Sequence, residues 1–395
     1  MLLKNKSVAI VTLVALVNML GYGIIIPLLY GYSRRFGLSD FQNGLLFAAY
    51  SVCQFISTPI IGRMSDKYGR KPLLVVSVAG TAMSFITMAF APNATFLFLA
   101  RILDGLTAGN VPVIFAIISD TTKPEERPKA FGLVGSAFSF GFIFGPAIAA
   151  LTIGSGAAVP FLIAAAITIV ATLLAIFYLP ETNTHSREVA KGKLFDFAHM
   201  WRTLFDPNTG VTFMISLVFF LAFSCAVIYG FQPFTIEVLK ITQSQNAQLF
   251  TLFGIIGLFT QNVLVGLATK KLGTKHAFSL SMLITAIAFV VSYLAGTLPL
   301  FIVGMVILGV ANSIAQTLIP VILSQEADAK SQGTIMGLNT SYQSVGMIVG
   351  PILGGVVAAN FSPKAPFLVG AILVLVCYAL TFWVLRPGIH KESAF

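Results

Sequence analysis

The chain of 395 residues is 57% hydrophobic and only 10% charged, with 35 Phe against 2 Trp. A water-facing globular protein is roughly a quarter charged, and apolar content this high excludes intrinsic disorder. The net charge of +10 does not indicate nucleic acid, because the basic residues sit in short gaps between apolar runs and not on one soluble face.

Crossing roughly 30 Å of hydrocarbon takes about 20 apolar residues in a helix. Twelve such runs follow one another, at about 8–29, 43–62, 73–91, 96–118, 130–151, 159–179, 211–233, 247–268, 277–295, 299–320, 333–357 and 366–385. The first follows Lys4 and Lys6, as a signal peptide would. It is too long and ends in no A-x-A-like site, so it is read as a retained first span. Cys53, Cys225 and Cys377 lie far apart inside apolar runs, which offers neither a disulfide framework nor a metal-ligand spacing. The expected fold is an all-α polytopic membrane protein.

Lys and Arg accumulate on the cytoplasmic side because they resist translocation. With the N-terminus inside, cytoplasmic segments hold 19 of the 24 basic residues, external loops hold Arg34, Arg35, Lys240 and Lys364, and Arg101 lies inside a span. Both termini are therefore expected in the cytoplasm.

The longest hydrophilic stretch, 180–210, divides the chain into two sets of six spans, and the halves repeat. A shift of 205 carries Gly132, Ser139, Gly141, Gly145 and Pro146 onto Gly337, Ser344, Gly346, Gly350 and Pro351. At a similar shift Gly62 and Gly69 fall on Gly266 and Gly273. The expected domains are 1–180, a cytoplasmic connector at 181–210, and 211–395. Within the connector, 190–206 carries Phe195, Phe197, Met200, Trp201 and Phe205, the makings of a short amphipathic helix on the inner leaflet. Parallel six-span repeats are the architecture of secondary transporters that rock one half against the other.

Three motifs add a family resemblance. Gly62-Arg-Met-Ser-Asp66-Lys-Tyr-Gly69-Arg70-Lys71, between spans two and three, resembles the signature loop of the major facilitator superfamily. Arg101-Ile-Leu-Asp-Gly105 on span four resembles its intramembrane arginine motif, and Gly141-Phe-Ile-Phe-Gly145-Pro146 on span five resembles the Gly-x-x-x-Gly-Pro motif of its antiporters. Within the superfamily the chain looks most like the twelve-span drug:proton antiporters, including tetracycline and quinolone exporters. The resemblance implies two pseudo-symmetric six-helix bundles, a bacterial plasma membrane, and a cytoplasmic latch at residues 62–71. In that latch Asp66 would bond a helix N-terminus or a nearby Arg such as Arg127, with Arg70, Lys71 and Asp120 beside it. The second copy has Lys270 and Thr274 at the Asp and second Arg positions, so the latch is expected in the first half alone.

Gly62 and Gly69 suit a tight turn. Gly141 and Gly145, at i and i+4, permit close helix approach, and Pro146 removes a backbone donor. As Gly346, Gly350 and Pro351 reproduce this device, it is expected to serve the mutual contact of the halves as a hinge or seal.

Of fourteen carboxylates only Asp104 lies well inside a span. It sits about eight residues, or ~12 Å, below the external surface, where an unpaired charge costs several kcal/mol. Arg101 is three residues away on the same face. Three readings stay open: a structural ion pair, a proton-coupling site with Asp104 as the titrating group and Arg101 as its partner, or direct substrate contact. The acids that relatives use in span one or in the C-terminal half have no counterpart here.

Embedded amides occur at Asn18, Gln54, Asn110, Gln232, Gln261, Asn262, Asn312, Gln316, Asn339 and Gln343, with none on spans three, six, nine or twelve. Amides are costly against hydrocarbon, so the helices that carry them are expected to surround a wet cavity. Tyr22, Tyr50, Tyr229 and Tyr342 join them, several at helical spacing, as in Asn18 with Tyr22 and Tyr50 with Gln54. Each pair serves equally well as an interhelical hydrogen bond. As a set they suit an amphipathic organic substrate held by apolar area with a few orienting hydrogen bonds.

No phosphate-binding loop G-x-x-x-x-G-K-[ST] is present, so direct ATP drive is not supported. His185, His199, His276 and His390 lie in cytoplasmic segments and carry no catalytic constellation. The expectation is a non-enzymatic, monomeric transporter without cofactor or metal, using protons as coupling ion to export a small amphipathic compound or drug. Import or facilitated passage of a nutrient is the alternative. A non-transporting receptor or scaffold would leave the cavity and latch without purpose.

Overall fold

A computed structural model describes residues 5–183, 196–327 and 331–385. Among these the regular structure is helical, and twelve helices are long and apolar enough to cross a membrane: Lys6–Arg34, Asp40–Tyr68, Arg70–Ala89, Ala94–Thr121, Arg127–Ser155, Val159–Tyr178, Gly210–Val238, Gln243–Leu272, Thr274–Leu294, Leu298–Glu326, Gln332–Asn360 and Ala365–Val384. They are spans one to twelve. Spans three, six, nine and twelve have 20 or 21 residues, whereas the other eight have 28 to 30. At ~1.5 Å per residue the short ones just match the hydrocarbon. The long ones overrun it or tilt. The four short spans are those without amides. They turn Val76, Met83, Val170, Phe177, Ile287, Leu294, Ile372 and Trp383 outward as exposed apolar side chains. Thr168 on span six and Ser292 on span nine donate to their own helices, at Ala164 O and Ala288 O, while Ser279 on span nine shares a hydrogen bond with Thr381 on span twelve.

Helix starts follow local chemistry. Asn5 caps span one by accepting from Ser7 N, and Asn93 caps span four. Spans five, six, ten and twelve open with Pro in the first turn, where a missing N–H costs nothing. Span four is broken: it is helical over Ala94–Thr107 and again over Val111–Thr121. Pro112 has no N–H to give and its ring displaces the carbonyl four residues back. Neighbouring hydroxyls satisfy carbonyls at the break: Ser57 donates to Gly105 O at 3.0 Å, and Ser77 donates to Thr107 O. Spans seven and eight carry π turns at Ser224–Tyr229, Phe234–Val238 and Thr260–Leu264.

The described residues form two compact units, the first from 5–39, 49–183 and 242–252, the second from 40–48, 196–241, 253–327 and 331–385. In the first, Val11, Val14, Val78, Ile114, Ile117 and Val134 form part of one core. Span five lies tight on span one there, since a Cβ on Gly141 would fall 2.7 Å from Leu16 O and one on Gly145 2.6 Å from Leu20 O. In the second unit Gly346 and Gly350 meet span seven in the same way, at Leu221 N and Leu221 O. These glycines thus pack a helix pair inside each unit, which corrects the expectation that they serve contact between the halves. Lipid tails give apolar side chains no drive to associate, so van der Waals closeness must do it. Span five runs through Pro146 and span eleven through Pro351 without interruption.

The early turns of span eight are fixed within the first unit, where Asn246 Nδ2 donates to Pro27 O at 2.7 Å and Ser244 to Ala150 O at 2.8 Å. Those of span two are fixed within the second, where Tyr229 Oη donates to Asp40 O at 2.9 Å and a Cβ on Gly44 would fall 2.4 Å from Pro351 O. Of the 190–206 segment expected to form a connector helix, Phe197–Thr203 is helical, and 190–195 lie outside the described residues. Phe195 lies outside the described residues, as do Lys4, His185, Glu188, Asp328, Lys330, Arg386, His390, Lys391 and Glu392. The three thiols are free.

Candidate functional site

In the first unit, Arg101 and Asp104 stand one helical turn apart on span four with Nη1 to Oδ2 at 3.2 Å and side chains 2% and 8% exposed. The guanidinium lies over the Tyr50 ring at 4.4 Å, and that ring is 5.8 Å from Tyr22. Gln54 faces the Tyr50 hydroxyl. From span three the hydroxyls of Thr81 and Ser84 face the Asp104 carboxyl. A charge pair this deeply buried persists because each ion has the other plus further partners. A hydroxyl has one proton to give, and that of Ser84 goes to Thr81 O at 2.8 Å, which leaves the Thr81 hydroxyl to donate to this carboxyl.

A polar chain leads away from this pair. Asn18 Nδ2 donates to Asn110 Oδ1 at 2.8 Å, Asn110 Nδ2 donates to Ser77 Oγ at 2.8 Å, and Ser77 donates to Thr107 O beside the break in span four. Thr107 Oγ1 lies 3.4 Å from Thr81 Oγ1. Spans one, three and four are thereby joined through side chains. The hydroxyls of this network were missed in the sequence, where span three counted as apolar for lack of amides. The signal was Ser77, Thr81 and Ser84 at spacings of four and three, one helix face.

The second unit distributes its predicted cavity residues differently. Asn339 is buried and accepts from Ser216 at 2.7 Å. Asn312, also buried, accepts from Gln316 Nε2 at 3.3 Å. Tyr342 is buried against Phe213, with ring centroids 4.9 Å apart, and its hydroxyl is held by the connector helix. Tyr229 reaches Asp40, and Gln232 is fully buried between the π turns of span seven. Gln261 and Asn262 are exposed on the π turn of span eight, where Asn262 Nδ2 donates to Leu258 O. Asn18, Tyr22, Gln54, Gln316 and Gln343 are half-buried. Asn110, Asn339, Tyr229 and Tyr342 thus bond other helices, while Gln261 and Asn262 present free amide surface.

At residues 62–71 the turn is Gly69 alone, at φ +103°. Gly62 is helical within span two, which corrects its assignment to the turn. Arg70 gathers the charges: Nη2 pairs with Asp66 at 2.7 Å, Nε with Asp120 at 3.4 Å, and Nη1 donates to Ser65 at 2.6 Å. Asp66 therefore bonds Arg70 and not Arg127, which instead donates to Ser119 O at 2.9 Å. The helix N-terminus is held instead by Glu181. Glu181 accepts from Arg70 N at 2.9 Å and Lys71 N at 3.2 Å, placing a carboxylate on the positive end of span three. A Cβ on Gly69 would lie 2.5 Å from Glu181 Oε2. In the second unit Lys275, at the repeat position of Lys71, donates to Val384 O near the end of span twelve at 2.8 Å. Glu326 Oε2 and Thr212 Oγ1 are buried there without a hydrogen-bond partner.

The sequence pattern of the Major Facilitator Superfamily matches residues 11–270 and 214–395. Multidrug resistance protein 2 of Bacillus subtilis is 29% identical over 391 residues, covering 96% of this chain and 95% of that protein. The class H tetracycline resistance protein of Pasteurella multocida is 30% identical over 360 residues, with 88% of each chain covered. Among solved structures, an inward-facing bacterial homologue of the human lysosomal transporter Spinster aligns over 98% of both chains with a TM-score of 0.81 at 16% identity. A human organic anion transporter aligns over 95% of this chain and 99% of its own with a TM-score of 0.68 at 21% identity. With twelve spans, a repeated six-span architecture and a match along the whole chain, this protein belongs to the Major Facilitator Superfamily of membrane transporters.

Proposed function

We propose that this protein exports small amphipathic organic compounds, drugs among them, in exchange for protons by alternating access in a bacterial plasma membrane. The observation that carries the reading is the Arg101–Asp104 pair. It is an ion pair on a membrane span, the more buried member stacked on Tyr50 and the acid faced by two hydroxyls. Asp104 takes and releases the proton, and Arg101 holds the carboxyl between turns of the cycle. In the first unit the half-buried Asn18, Tyr22 and Gln54 supply orienting hydrogen bonds on an otherwise apolar surface. The resistance proteins that resemble the chain along its length support drugs as substrates and export as direction. The Asp66–Arg70–Asp120 cluster fastens the cytoplasmic ends of spans two, three and four.

Inverted membrane vesicles with an imposed pH gradient test the reading directly. Vesicles acidic inside are expected to accumulate a labelled lipophilic drug, and dissipating the gradient is expected to abolish uptake. Asp104→Asn is expected to lose gradient-driven accumulation by at least about tenfold, the loss of ~1.4 kcal/mol of driving interaction, while still binding drug. Full pH-driven transport in that variant would remove Asp104 from the coupling role. Accumulation in the opposite orientation would identify an importer.

A further inference from the structure

The connector helix Phe197–Thr203 has two unlike sides. One is fixed to the second unit: Tyr342 Oη donates to Met200 O at 2.5 Å and shares a hydrogen bond with Thr203 Oγ1 at 2.7 Å. Asp196 closes the N-terminus by accepting from His199 N at 2.9 Å. Beyond the helix the chain turns at once, with Asp206 Oδ1 accepting from Asn208 N and Thr209 N. A Cβ on Gly210, the first residue of span seven, would fall 2.5 Å from Leu204 O. The helix is thus held against the first residue of a membrane span.

Its other side carries Phe197 and Trp201, joined by Phe205 from the turn that follows, exposed by 61%, 66% and 66%. Trp201 and Phe205 meet edge to face at 5.5 Å, and Arg202 is exposed beside them. Rings left in water forgo the stabilisation that removing their apolar area from water would give. Trp is enriched at the membrane interface, where an apolar body and a polar edge are both satisfied, and a basic side chain next to it meets lipid phosphate.

We propose that the Phe197–Trp201–Phe205 face is an anchor seated on the phospholipid headgroup boundary, and that Tyr342 ties this lipid-seated helix to span eleven between Asn339 and Gln343. The proposal rests on the membrane fold alone and is independent of coupling or direction. The lipid environment would then bear on the span that carries two candidate substrate residues.

The chain has two Trp, so Trp383→Phe leaves Trp201 as a single reporter. The full-length variant is reconstituted in liposomes of phosphatidylcholine and phosphatidylglycerol. Its emission is then quenched either by lipids brominated at shallow or deep acyl positions or by aqueous acrylamide. Strong quenching by shallow bromines with weak acrylamide quenching is expected. Dominant acrylamide quenching would overturn the proposal, as would resistance to both agents, which would mean that protein covers the ring. Adding Tyr342→Phe keeps the ring against Phe213 but removes both hydrogen bonds. It is expected to raise acrylamide quenching severalfold while the yield of monodisperse protein is unchanged, and identical quenching with and without Tyr342 Oη would overturn the tie to span eleven.

Discussion

At Asn110 an amide that reads in the sequence as a cavity group is instead a junction, donating to Ser77 and accepting from Asn18 with no exposure of its own. Replacing it by Leu takes the acceptor from Asn18 Nδ2 and the donor from Ser77, which keeps its bond to Thr107 O, at about 1–3 kcal/mol. A fall of several degrees in melting temperature in detergent is expected, larger than for Gln261→Leu, whose amide is exposed. Glu181 makes a similar point outside the spans. Its two oxygens accept from the first two N–H groups of span three, so Glu181→Ala is expected to cost about 1 kcal/mol in thermal denaturation, whereas Glu125→Ala, at an exposed position, is expected to be neutral. Glu326 is the converse, with a buried oxygen that faces Thr212 and Lys275 without closing a hydrogen bond. Glu326→Gln removes the charge at constant shape and is expected to leave stability unchanged or raise it by up to about 1 kcal/mol. Asp104, Arg101 and the Asn18–Asn110 pair were legible in the sequence as polar residues in apolar runs. Their partners were not, because Ser and Thr are common in spans and only contact distinguishes a network from a hydroxyl bonded to its own helix.

Among the elements, the glycines separate motif from mechanism. The repeat carries Gly132, Gly141 and Gly145 onto Gly337, Gly346 and Gly350, and the sequence offers no reason to rank them. In the structure Gly132 and Gly337 face open space, while Gly141, Gly145, Gly346 and Gly350 touch the backbone of a facing helix or atoms next to it. Gly145→Ala and Gly350→Ala are therefore expected to cost about 1–3 kcal/mol through overpacking, read as a lowered melting temperature. Gly132→Ala and Gly337→Ala are expected to be neutral or slightly stabilising, since Ala is the better helix former. Span four shows the same dependence on surroundings. Pro112 marks a possible break in the sequence, yet the break persists because Ser57 and Ser77 from two other helices serve the carbonyls there.

On the scale of the whole molecule the pattern has a period of three. Every third span is short, free of amides and exposed on its apolar side chains, as helices facing lipid should be. An amide placed on such a surface is expected to be costly in the bilayer. Val170→Asn on span six should lower thermal stability in liposomes by about 1–2 kcal/mol, and it should do so more than Thr340→Asn, which alters an exposed residue on span eleven that is already polar. The compact units are also not the two sequence repeats, because the early turns of spans two and eight are each hydrogen-bonded into the unit that holds mainly the other repeat. Hydropathy, the placement of Lys and Arg, and the internal repeat are sums along the chain, so twelve spans, a membrane solvent and a duplicated architecture could be read from residue order alone. Which carboxyl meets Arg70, which amides bond other helices and which glycines touch a backbone were decided only by the tertiary structure. Each of those contacts joins groups from different helices, and its energy depends on a separation of a few tenths of an ångström that composition and periodicity do not encode.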